Sequence, residues 1–396
     1  MGPPRVTLAP RRQAPFLGGH PWVFSGAVAS VAGEPADGDE VDVVASDGTF
    51  VARGLYNGRS QIRVRLYRRE PAPLDAAFLS QRIREAVRLR ERVLGLDDPA
   101  GACRLVFSEG DGLSGLTVDR YGPYLSVQFT SLALATRREA LLDALEEAVT
   151  PRGMVLRTEK GILEEEGLEL RDGVLRGAVP EEPFEIRDGG LRFAVDLRTG
   201  QKTGFYLDQR ENRARAASYA RGRAAADVCC YTGGFTVALA AAGAASVTGV
   251  DASAPALALA ASNAERNGVG ALTRFQRGDA FRWLQGEAEA GRTYDMIVLD
   301  PPRFARTRTG VRQAVQAYER LNRLAISRLR PDGILVTCSC SGRVTLDEFT
   351  GAVARGAAAE RRTVQILEAR GQAPDHPVAA SCPESAYLKC LICRVA

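Results

Sequence analysis

Three apolar stretches of this 396-residue chain end in residues that could carry out chemistry. ILVTCSCSG, from Ile334 to Gly342, predicts a buried strand that ends in a reactive cysteine. MIVLDPPRF (Met296–Phe304) predicts a strand that ends in an acid and two prolines, and ADVCCYTGGF (Ala226–Phe235) predicts one that runs into a Gly-Gly turn. Because the carboxyl ends of parallel strands meet at one edge of a sheet, we expect these groups at a common site of an open α/β sheet.

The thiol of Cys340 suits methyl transfer to carbon 5 of a pyrimidine. That carbon is a poor nucleophile, but a thiolate that adds at carbon 6 makes it enamine-like, so that it can attack a methyl sulfonium. A base then removes the proton at carbon 5 and the thiol leaves, which divides one difficult step into easier ones. We expect Cys340 to be this nucleophile and Cys338 to point to the opposite face of the strand, into the core. The alternative for Cys340 is an inert small residue near the surface.

The segment CYTGGF, Cys230 to Phe235, lies between a predicted strand and a predicted helix. Its glycines would let a ligand approach the backbone, and the N-terminus of the helix favours negative charge. The GxGxxG pattern of dinucleotide sites is absent, and an ordinary strand-to-helix turn is the alternative reading.

Acidic residues follow the next two predicted strands. Asp251 is placed to bind ribose hydroxyls, and Gly278-Asp279-Ala280 offers an acid and a backbone amide to an adenine edge. Each acid by itself is more often a helix cap. Because three strand ends carry such groups together, we expect an adenosine-containing cofactor at this edge.

The loop DPPRF, Asp300 to Phe304, combines an acid with two stiff residues. The prolines hold Asp300 in a fixed extended geometry. We expect a planar base in a slot here, with Asp300 at the base edge near N3 and assisting proton transfer. Phe304 would stack on the base and Arg303 would contact phosphate. The alternative is a rigid surface turn.

The pattern of predicted elements divides the chain into three domains. Residues 1–70 predict a small all-β domain, because EVDVVAS, TFVARGLYN and QIRVRLY alternate with the period of a strand. Residues 71–185 have a β-α-β pattern with no evident catalytic group, and their segment EEEGLELRDG predicts a solvated loop. Residues 186–396 alternate strands and helices, which predicts a mostly parallel, doubly wound sheet with an antiparallel hairpin at its edge.

Basic residues cluster around the last strand of the first domain and its exit. We expect them to form an RNA-binding face, with a solvated basic edge as an equally good alternative. The cluster contains Arg59, Arg63, Arg65, Arg68 and Arg69.

Composition excludes several classes of protein. The chain is 45% hydrophobic and 25% charged, with a net charge of +4, which is ordinary for a globular protein and too mild to establish nucleic-acid binding. Its start lacks an apolar core long enough for a signal peptide, and no run of about 18 apolar residues predicts a membrane span. With eight cysteines in no repeated CxxC pattern and two histidines, we expect no metal site and reduced cysteines in the cytoplasm.

Together these residues carry a family resemblance. YTGGF, DPPRF and SCSG, with TGFYLDQRENR upstream and DHPV and PESAYLK downstream, resemble the bacterial large-subunit rRNA cytosine-5 methyltransferases of the RlmI type. GGHPWVFSGAV near the start resembles their PUA domain, an RNA-binding β-barrel. The resemblance spans nearly the whole chain and departs from many methyltransferase motifs at Cys229-Cys230, where a glycine is usual.

The resemblance implies S-adenosylmethionine as methyl donor, rRNA as partner, and a Rossmann-like class I methyltransferase domain after an N-terminal PUA β-barrel and a small α+β middle domain. It implies that the SCSG cysteine, Cys340, is the nucleophile, with Asp300 beside it, and that FYLDQR lines the cofactor site. The residues expected at the cofactor are Tyr206, Asp208, Gln209, Arg210, Asp227, Cys230, Tyr231, Thr232, Gly233, Gly234, Phe235, Asp251, Ala252, Asp279, Ala280, Asp300 and Pro301. Those expected at the RNA are Pro302, Arg303, Phe304, Arg63 and Arg65.

Three other functions stay open at this point. Uridine-5 methyltransferases also have a DPPR loop, but the motif around their cysteine resembles SCNP rather than SCSG. Methylation of an exocyclic amine needs no thiol and usually places an aromatic residue directly after Pro-Pro, where this chain has Arg303. A non-catalytic RNA-binding assembly factor would lack an intact cofactor turn. The target nucleotide, the assembly stage of the substrate and the oligomeric state, including a homodimer, are left open.

Overall fold

The computed structural model describes residues 2–198, 204–305 and 310–396. They form two compact units. The first contains the chain up to Ile186 together with the segments Val195–Phe205 and Pro374–Ser385, and the second contains Arg187–Ala194, Tyr206–Ala373 and Ala386–Ala396. The division of the chain at residues 70 and 185 stays a prediction.

A six-stranded sheet forms the N-terminal part of the first unit, with strand order β2-β6-β5-β4-β1-β3. Half-buried and buried residues alternate over the first four residues of β4, where Val41 and Val43 face a core that also contains Val6 and Val64. This is the period-2 pattern that the sequence predicts for strands. The elements are β1 (Arg5–Leu8), α1 (Ala14–Leu17), β2 (Trp22–Phe24), β3 (Val28–Ala32), β4 (Glu40–Val44), β5 (Phe50–Tyr56) and β6 (Ile62–Arg68).

A second sheet of the same unit has the order β11-β10-β9-β8-β7. Asp75 caps α2 by accepting a hydrogen bond from the N–H of Phe78 at 2.9 Å. Residues 132–149 form two helices with a break at Thr136 and Arg137. The elements are α2 (Ala76–Arg88), β7 (Ala102–Phe107), β8 (Leu116–Tyr121), β9 (Tyr124–Phe129), α3 (Leu132–Ala135), α4 (Arg138–Val149), β10 (Gly153–Leu156), α5 (Lys160–Glu166) and β11 (Gly173–Gly177).

The end of α5 corrects two expectations. The segment EEEGLELRDG is a solvated loop only in part: its first three residues end α5, and Glu166 is 5% exposed and accepts hydrogen bonds from Ser60 Oγ at 2.6 Å and from Asn57 Nδ2 at 3.2 Å. Its carboxylate also pairs with Arg65 at 3.0 Å. Arg65 is buried as well, and Glu109 lies 3.7 Å from its guanidinium group. The prediction that Arg65 contacts RNA is therefore wrong, because its charge is neutralised inside this unit.

The other arginines of the basic cluster differ in exposure. Arg59 is exposed and lies 3.3 Å from Asp37, and Arg69 is exposed at the exit from β6. Arg68 is half-buried. Arg63 is also half-buried, donates to the carbonyl of Gly58 and lies over the ring of Tyr56. Arg59 and Arg69 are therefore the exposed members of the cluster that the sequence predicts to bind RNA.

Replacing Glu166 by alanine should destabilise the protein. Breaking a buried ion pair leaves an uncompensated charge, which costs about 3 kcal/mol or more, although Glu109 retains part of the attraction to Arg65. Urea denaturation should show this as a lower midpoint for Glu166→Ala. The matched control is Glu165→Ala, which removes an exposed neighbouring carboxylate and should change the midpoint little. Equal midpoints for the two variants would contradict the role of Glu166.

The second unit contains a seven-stranded sheet with the order β16-β15-β14-β17-β18-β20-β19, and a two-stranded hairpin, β12-β13, precedes that sheet in the chain. Helix α11 begins with a capping box, in which Thr345 and Glu348 satisfy each other's backbone N–H groups. The elements are β12 (Phe184–Asp188), β13 (Leu191–Val195), α6 (Arg210–Ala217), β14 (Ala224–Val228), α7 (Gly234–Ala241), β15 (Ser246–Asp251), α8 (Ala254–Arg266), β16 (Thr273–Arg277), α9 (Ala280–Glu289), β17 (Tyr294–Leu299), α10 (Val311–Arg328), β18 (Leu329–Ser339), α11 (Leu346–Ala359), β19 (Val364–Arg370) and β20 (Lys389–Val395).

Strand direction in this sheet follows the alternation of strands and helices. Strands β16, β15, β14, β17 and β18 pair in parallel, as connections through helices require. The last two strands are antiparallel to each other, as expected, and β20 also pairs antiparallel with β18. The C-terminal strand therefore lies inside the sheet, between β18 and the edge strand β19. None of the helices in the described ranges combines the length and the apolar character that a membrane crossing needs.

Candidate active site

Backbone hydrogen bonds join the strand ends at the carboxyl edge of the parallel sheet. The carbonyl of Val250 in β15 accepts from the N–H groups of Cys229 and Cys230 at 2.8 and 3.0 Å. The N–H of Asp300 donates to Val228 at 3.2 Å, across β14 and β17. The turn after β14 and the loop after β17 therefore start from one side of the sheet, as the sequence predicts.

The turn after β14 contains three residues in the left-handed region, Cys229 (φ 69°), Tyr231 (φ 49°) and Gly233 (φ 82°). Non-glycine residues adopt this conformation uncommonly. Cys229 thus has the backbone geometry that a glycine would favour, in the Cys229-Cys230 pair that replaces the first glycine of many methyltransferase motifs. A Cβ at Gly233 would lie 3.1 Å from that of Ala260, so this glycine also lets the turn pack against α8. Cys230, Thr232 and Phe235 are buried, and Gly234 is half-buried.

Asp251, at the end of β15, holds this turn through its carboxylate. One oxygen accepts from the N–H of Tyr231 at 2.9 Å, and the other accepts from the N–H of Ser253 at 2.9 Å. Because each carboxylate oxygen has two lone pairs, further hydrogen bonds can be accepted. Asp251 is half-buried and Ala252 is exposed, so both lie at the rim of the site.

Asp227 lies behind the turn and not at its surface. It is fully buried, and one carboxylate oxygen accepts from the backbone N–H and the hydroxyl of Thr236 at 2.8 and 2.7 Å. Burial raises the pKa of Asp227 to about 6, against the two hydrogen bonds from Thr236, which lower it. Its position indicates that it anchors the start of α7.

Asp279 and Ala280 lie where β16 leads into α9. The side chain of Asp279 is exposed and caps α9 by accepting from the N–H of Arg282 at 3.1 Å. The N–H of Gly278 donates to the carbonyl of Asp251 at 3.0 Å. A helix cap thus accounts for this acid, and an adenine contact stays a prediction for the pair.

The FYLDQR segment divides into residues that face the site and residues that hold it. Thr203, at the start of the longer resemblance motif, lies outside the described residues. The ring of Tyr206 packs edge-on against that of Tyr231, with centroids 5.2 Å apart. Burial raises the pKa of Tyr206, and the charges of Asp300 and Cys340 add to this effect. The phenol of Tyr206 therefore lies at the meeting point of the turn, the acidic loop and the thiol.

Gln209 and Asp208 connect separate segments of the chain. Gln209 Nε2 donates to Asp300 Oδ1 at 3.0 Å, while its oxygen accepts from Asn212 Nδ2 at 2.7 Å. The carboxylate of Asp208 accepts from the hydroxyl of Tyr387 at 2.5 Å. Both side chains are buried, so these bonds form in a low dielectric, where they are strong.

Arg210 belongs to a buried ion-pair network. Its Nε donates to Asp188 at 2.6 Å, and Arg213 pairs with the other oxygen of the same carboxylate. Burial alone would raise the pKa of Asp188, but the two guanidinium groups lower it below its ordinary value. Arg213 also donates to the carbonyl of Tyr206 at 2.7 Å. The expected cofactor contact of Arg210 is therefore replaced by a structural one, which fixes the segment that carries Tyr206.

The DPPRF loop and Cys340 meet. The Sγ of Cys340 lies 3.8 Å from the carbonyl oxygen of Pro301. Pro301 is buried, whereas Pro302 and Arg303 are exposed. Phe304 is half-buried and packs against Tyr318 and Phe281, with ring centroids 4.8 and 6.3 Å away. Much of its ring is thus occupied by core contacts, which leaves less of it for stacking on a base than the sequence predicts.

Cys338 and Cys340 differ in environment, but not for the reason expected. Side chains two residues apart in a strand share a face, so alternation cannot separate them. Strand β18 ends at Ser339, and Cys340 lies one residue beyond it, half-buried. Cys338 is fully buried opposite Cys390 of β20, and the contact with that thiol, together with burial, raises its pKa. The expected division into a core cysteine and an edge cysteine therefore arises from the end of the strand.

Several residues at this edge were not singled out from the sequence. Ser341 is buried, and its hydroxyl lies 3.0 Å from that of Tyr318 and accepts from the N–H of Ala305 at 3.3 Å. Its carbonyl accepts from Lys389 Nζ at 2.7 Å. Lys389, and Tyr387 that binds Asp208, belong to the motif PESAYLK, which was the sequence signal that could have identified them.

One cluster in the described part of the first unit has residue types found at metal sites. Ligand atoms of His20, Cys382 and Glu384 lie within 4.8 Å of one another. The N–H of Trp22 donates to His20 Nδ1, which assigns the ring proton to Nε2, where it faces Glu384 at 3.3 Å. Burial raises the pKa of Cys382 to about 12. The contacts among these three side chains are those of a hydrogen-bonded network.

Comparisons with known proteins agree with the fold and with this edge. A family model for S-adenosylmethionine-dependent methyltransferases matches residues 173–394, and one for a PUA-like domain matches residues 6–69. Ribosomal RNA large subunit methyltransferase I of Erwinia tasmaniensis is 39% identical over 393 residues, 99% of this chain and 99% of that protein. The protein of that name from Escherichia coli O139:H28 is 38% identical over the same shares. The crystal structure of SMU.776 complexed with SAH aligns with a TM-score of 0.87 at 21% identity, over 98% of this chain and 99% of that one, and shows the shared fold.

The chain is thus a member of the S-adenosylmethionine-dependent methyltransferases, with a Rossmann-like fold and a PUA-like N-terminal domain. Within that class it belongs to the family of ribosomal RNA large subunit methyltransferase I. The resemblance, the fold class and the cofactor expected from the sequence are confirmed.

The residues at the edge fit this cofactor. The turn has left-handed backbone at Cys229, Tyr231 and Gly233, and Asp251 beside it keeps acceptor capacity for ribose hydroxyls. The N-terminus of α7 follows the turn directly. When bound, S-adenosylmethionine supplies an electrophilic methyl group.

Asp227 should make the stability of the protein depend on pH. Its folded pKa of about 6 lies above the ordinary value, so the folded state binds more protons than the unfolded state between about pH 4 and 6. The stabilisation is complete below this window and is lost as the pH rises through it, by roughly 3 kcal/mol. Urea midpoints measured from pH 4.5 to 7 should therefore rise for Asp227→Asn relative to the parent protein.

Asp279→Asn is the control, since asparagine is an equally good helix cap and the side chain is exposed. Its midpoints should run parallel to those of the parent protein. Parallel curves for Asp227→Asn would show that the buried carboxyl does not titrate in this window.

Proposed function

We propose that this protein methylates carbon 5 of a cytosine in large-subunit rRNA, with S-adenosylmethionine as methyl donor and Cys340 as nucleophile. The observation that carries the proposal is the contact between the Cys340 thiol and the DPPRF loop, 3.8 Å from the Pro301 carbonyl. The names of the relatives support rRNA of the large subunit as the substrate. The motif SCSG, Ser339 to Gly342, favours cytosine over uracil, because uridine-5 methyltransferases resemble SCNP at this position.

In the proposed reaction the thiolate of Cys340 adds to the base and is released again at the end. A bond forms between Sγ of Cys340 and carbon 6 of the base, and the electron pair of the 5,6 double bond moves to carbon 5. Carbon 5 takes the methyl group as the methyl–sulfonium bond breaks, which leaves S-adenosylhomocysteine. A base then removes the proton from carbon 5, the double bond re-forms and the carbon–sulfur bond breaks, releasing the thiolate.

Asp300 is the residue that we assign to the base edge. Its carboxylate is held by Gln209 at 3.0 Å, and its backbone N–H is fixed to Val228. A carboxylate in a set position next to the thiol can orient the base through N3 and assist the movement of a proton. The rigid prolines that follow keep this geometry while the base enters and leaves.

The cofactor residues that we propose form two groups. The residues of the first group are proposed to contact the ligand directly, Gly233 through its backbone: Tyr206, Tyr231, Gly233, Gly234, Asp251, Ala252, Asp279 and Ala280. Asp208, Gln209, Arg210, Asp227, Cys230, Thr232 and Phe235 are buried and act by holding that surface. Asp300 and Pro301 are proposed to border the cofactor as well, and the exposed Pro302 and Arg303 are proposed to contact the RNA.

The N-terminal domain is proposed to bind RNA through its exposed arginines. Arg59 and Arg69 offer charge to phosphate, with support from the half-buried Arg63 and Arg68. We also propose the division into domains at residues 70 and 185, and the cytoplasm as the location of the reaction, where rRNA is assembled into subunits. A homodimer stays an untested prediction.

Mass spectrometry of nucleosides tests the reaction directly. The full-length protein, labelled S-adenosylmethionine and rRNA of the large subunit should yield labelled 5-methylcytidine. Labelled 5-methyluridine or an N-methylated nucleoside would assign one of the other chemistries. Absence of any labelled nucleoside, with rRNA bound, would support an assembly factor.

Cys340 should become covalently trapped on RNA that carries 5-fluorocytosine at the target. Fluorine cannot leave as a proton, so the adduct should persist after methyl transfer. Cys340→Ser should abolish trapping, because a hydroxyl is far less ionised than a thiol near neutral pH. Cys338→Ser, which alters the fully buried neighbour, should leave trapping largely intact. Denaturing electrophoresis measures the adduct, and trapping by Cys340→Ser would rule out this thiol as the nucleophile.

Asp251 should govern the affinity for the cofactor. Hydrogen bonds to a charged group contribute about 1.5–3 kcal/mol, so Asp251→Ala should weaken binding of S-adenosylmethionine by roughly tenfold or more. Isothermal titration calorimetry measures this, with thermal unfolding as a check that the variant is folded. Unchanged affinity in a folded Asp251→Ala protein would contradict the ribose assignment.

A further inference from the structure

Lys389 lies next to the loop that carries the catalytic thiol. It begins β20 and is paired in register with Ser339, the last residue of β18. Its side chain reaches beyond that strand end, where Nζ donates to the carbonyls of Ser341 at 2.7 Å and Tyr387 at 2.9 Å. Since Ser341 directly follows Cys340, the amine is held beside the loop of the thiol.

The environment of this amine is unusual for a lysine. Lys389 is 8% exposed, and an ammonium group is costly to bury without a charged partner. Two carbonyls accept two of its three N–H groups, which leaves one for a further acceptor. Burial lowers the pKa of Lys389 to about 8, whereas the charges of Cys340 and Glu348 raise it. A thiolate at Cys340 would therefore be a favourable neighbour.

Lysine is a rare residue in this chain. Three of the 52 basic residues in this chain are lysines, at positions 160, 202 and 389, and the others are arginines. Arginine carries a wide planar group with delocalised charge, whereas the lysine ammonium is a compact point charge. The site next to Cys340 thus has the residue type that concentrates positive charge on one atom.

Two phenols and one acid also face the thiol, and of these the acid opposes its ionisation. Tyr206 and Tyr318 each interact with the charges of both Cys340 and Asp300. Asp300 carries negative charge, and a half-buried position disfavours a second anion. A thiolate in this setting needs a cation, and Lys389 supplies one from β20.

We propose that Lys389 is a positioning residue for the reaction: its ammonium group stabilises the Cys340 thiolate, and its hydrogen bond to Ser341 holds the loop of the thiol. The use of the thiolate in methyl transfer rests on the proposed function. The ionisation of Cys340 does not, because it can be measured without cofactor or RNA.

The test is the pH dependence of alkylation of Cys340 by iodoacetamide in the full-length protein, located by fragment-ion mass spectrometry. The midpoint in the parent protein should lie below about 8.5, the ordinary value for a cysteine thiol. Lys389→Gln keeps N–H donors for the two carbonyls but removes the charge, so it should raise the midpoint by about one pH unit or more. At pH 7 the rate should fall about threefold to tenfold, because the loss of thiolate is partly offset by its greater nucleophilicity.

Lys389→Arg keeps the charge and should recover most of this shift. Alkylation of Cys229, whose pKa burial and the charge of Asp251 raise, should stay low in every variant. Equal shifts in the glutamine and arginine variants would overturn the electrostatic role and leave Lys389 as a loop anchor alone. A parent midpoint at or above about 8.5 would overturn it as well, even if the glutamine variant failed to fold. If the midpoints behave as expected but no 5-methylcytidine forms, the proposed function fails and the role of Lys389 stands.

Discussion

Parallel pairing of β14, β15, β17 and β18 is the constraint on which the site depends. Each crossover between parallel strands brings the chain back to the edge of the sheet where strands begin. All of these strands therefore have their carboxyl ends at the opposite edge. The carbonyl of Val250 then accepts hydrogen bonds from the N–H groups of Cys229 and Cys230, which begin the turn after β14. The carbonyl of Val228 accepts one from the N–H of Asp300. Segments that are far apart in the chain, such as residues 229–234 and 300–304, thereby come together with the thiol of Cys340.

Buried polar side chains refine the positions that the sheet makes available. Gln209 orients Asp300, Asp208 binds Tyr387, and Ser341 joins the DPPRF loop to α10 and β20. Such groups are costly to bury unless their hydrogen bonds are satisfied, and a satisfied network restricts the site to one arrangement. The residues of FYLDQR therefore contribute as much by holding the site as by lining it, and the pair of Arg210 and Arg213 on Asp188 belongs to the same support.

Charged side chains in the first unit also stabilise the structure. Arg65 and Glu166 form a buried pair with Ser60 and Asn57 around the carboxylate. Neutralising a cation in the interior removes it from any RNA-binding face, because phosphate binding needs a charge that is free and exposed. The RNA-binding face that we propose for this domain is then left to the arginines at its surface, such as Arg59 and Arg69.

The sequence by itself determined the class of fold and the set of segments that meet at the site. Alternating strands and helices, apolar runs that end in Asp300 or Cys340, and the turn at Gly233 are local patterns, and local patterns carry that information. The tertiary structure decided which of the charged and aromatic side chains are free. Arg65, Arg210 and Phe304 look available in the sequence, but partners up to about a hundred residues away occupy them in whole or in part. Lys389 became informative only through its pairing with the end of β18, because burial and electrostatic environment arise from contacts between distant segments and leave no local pattern in the chain.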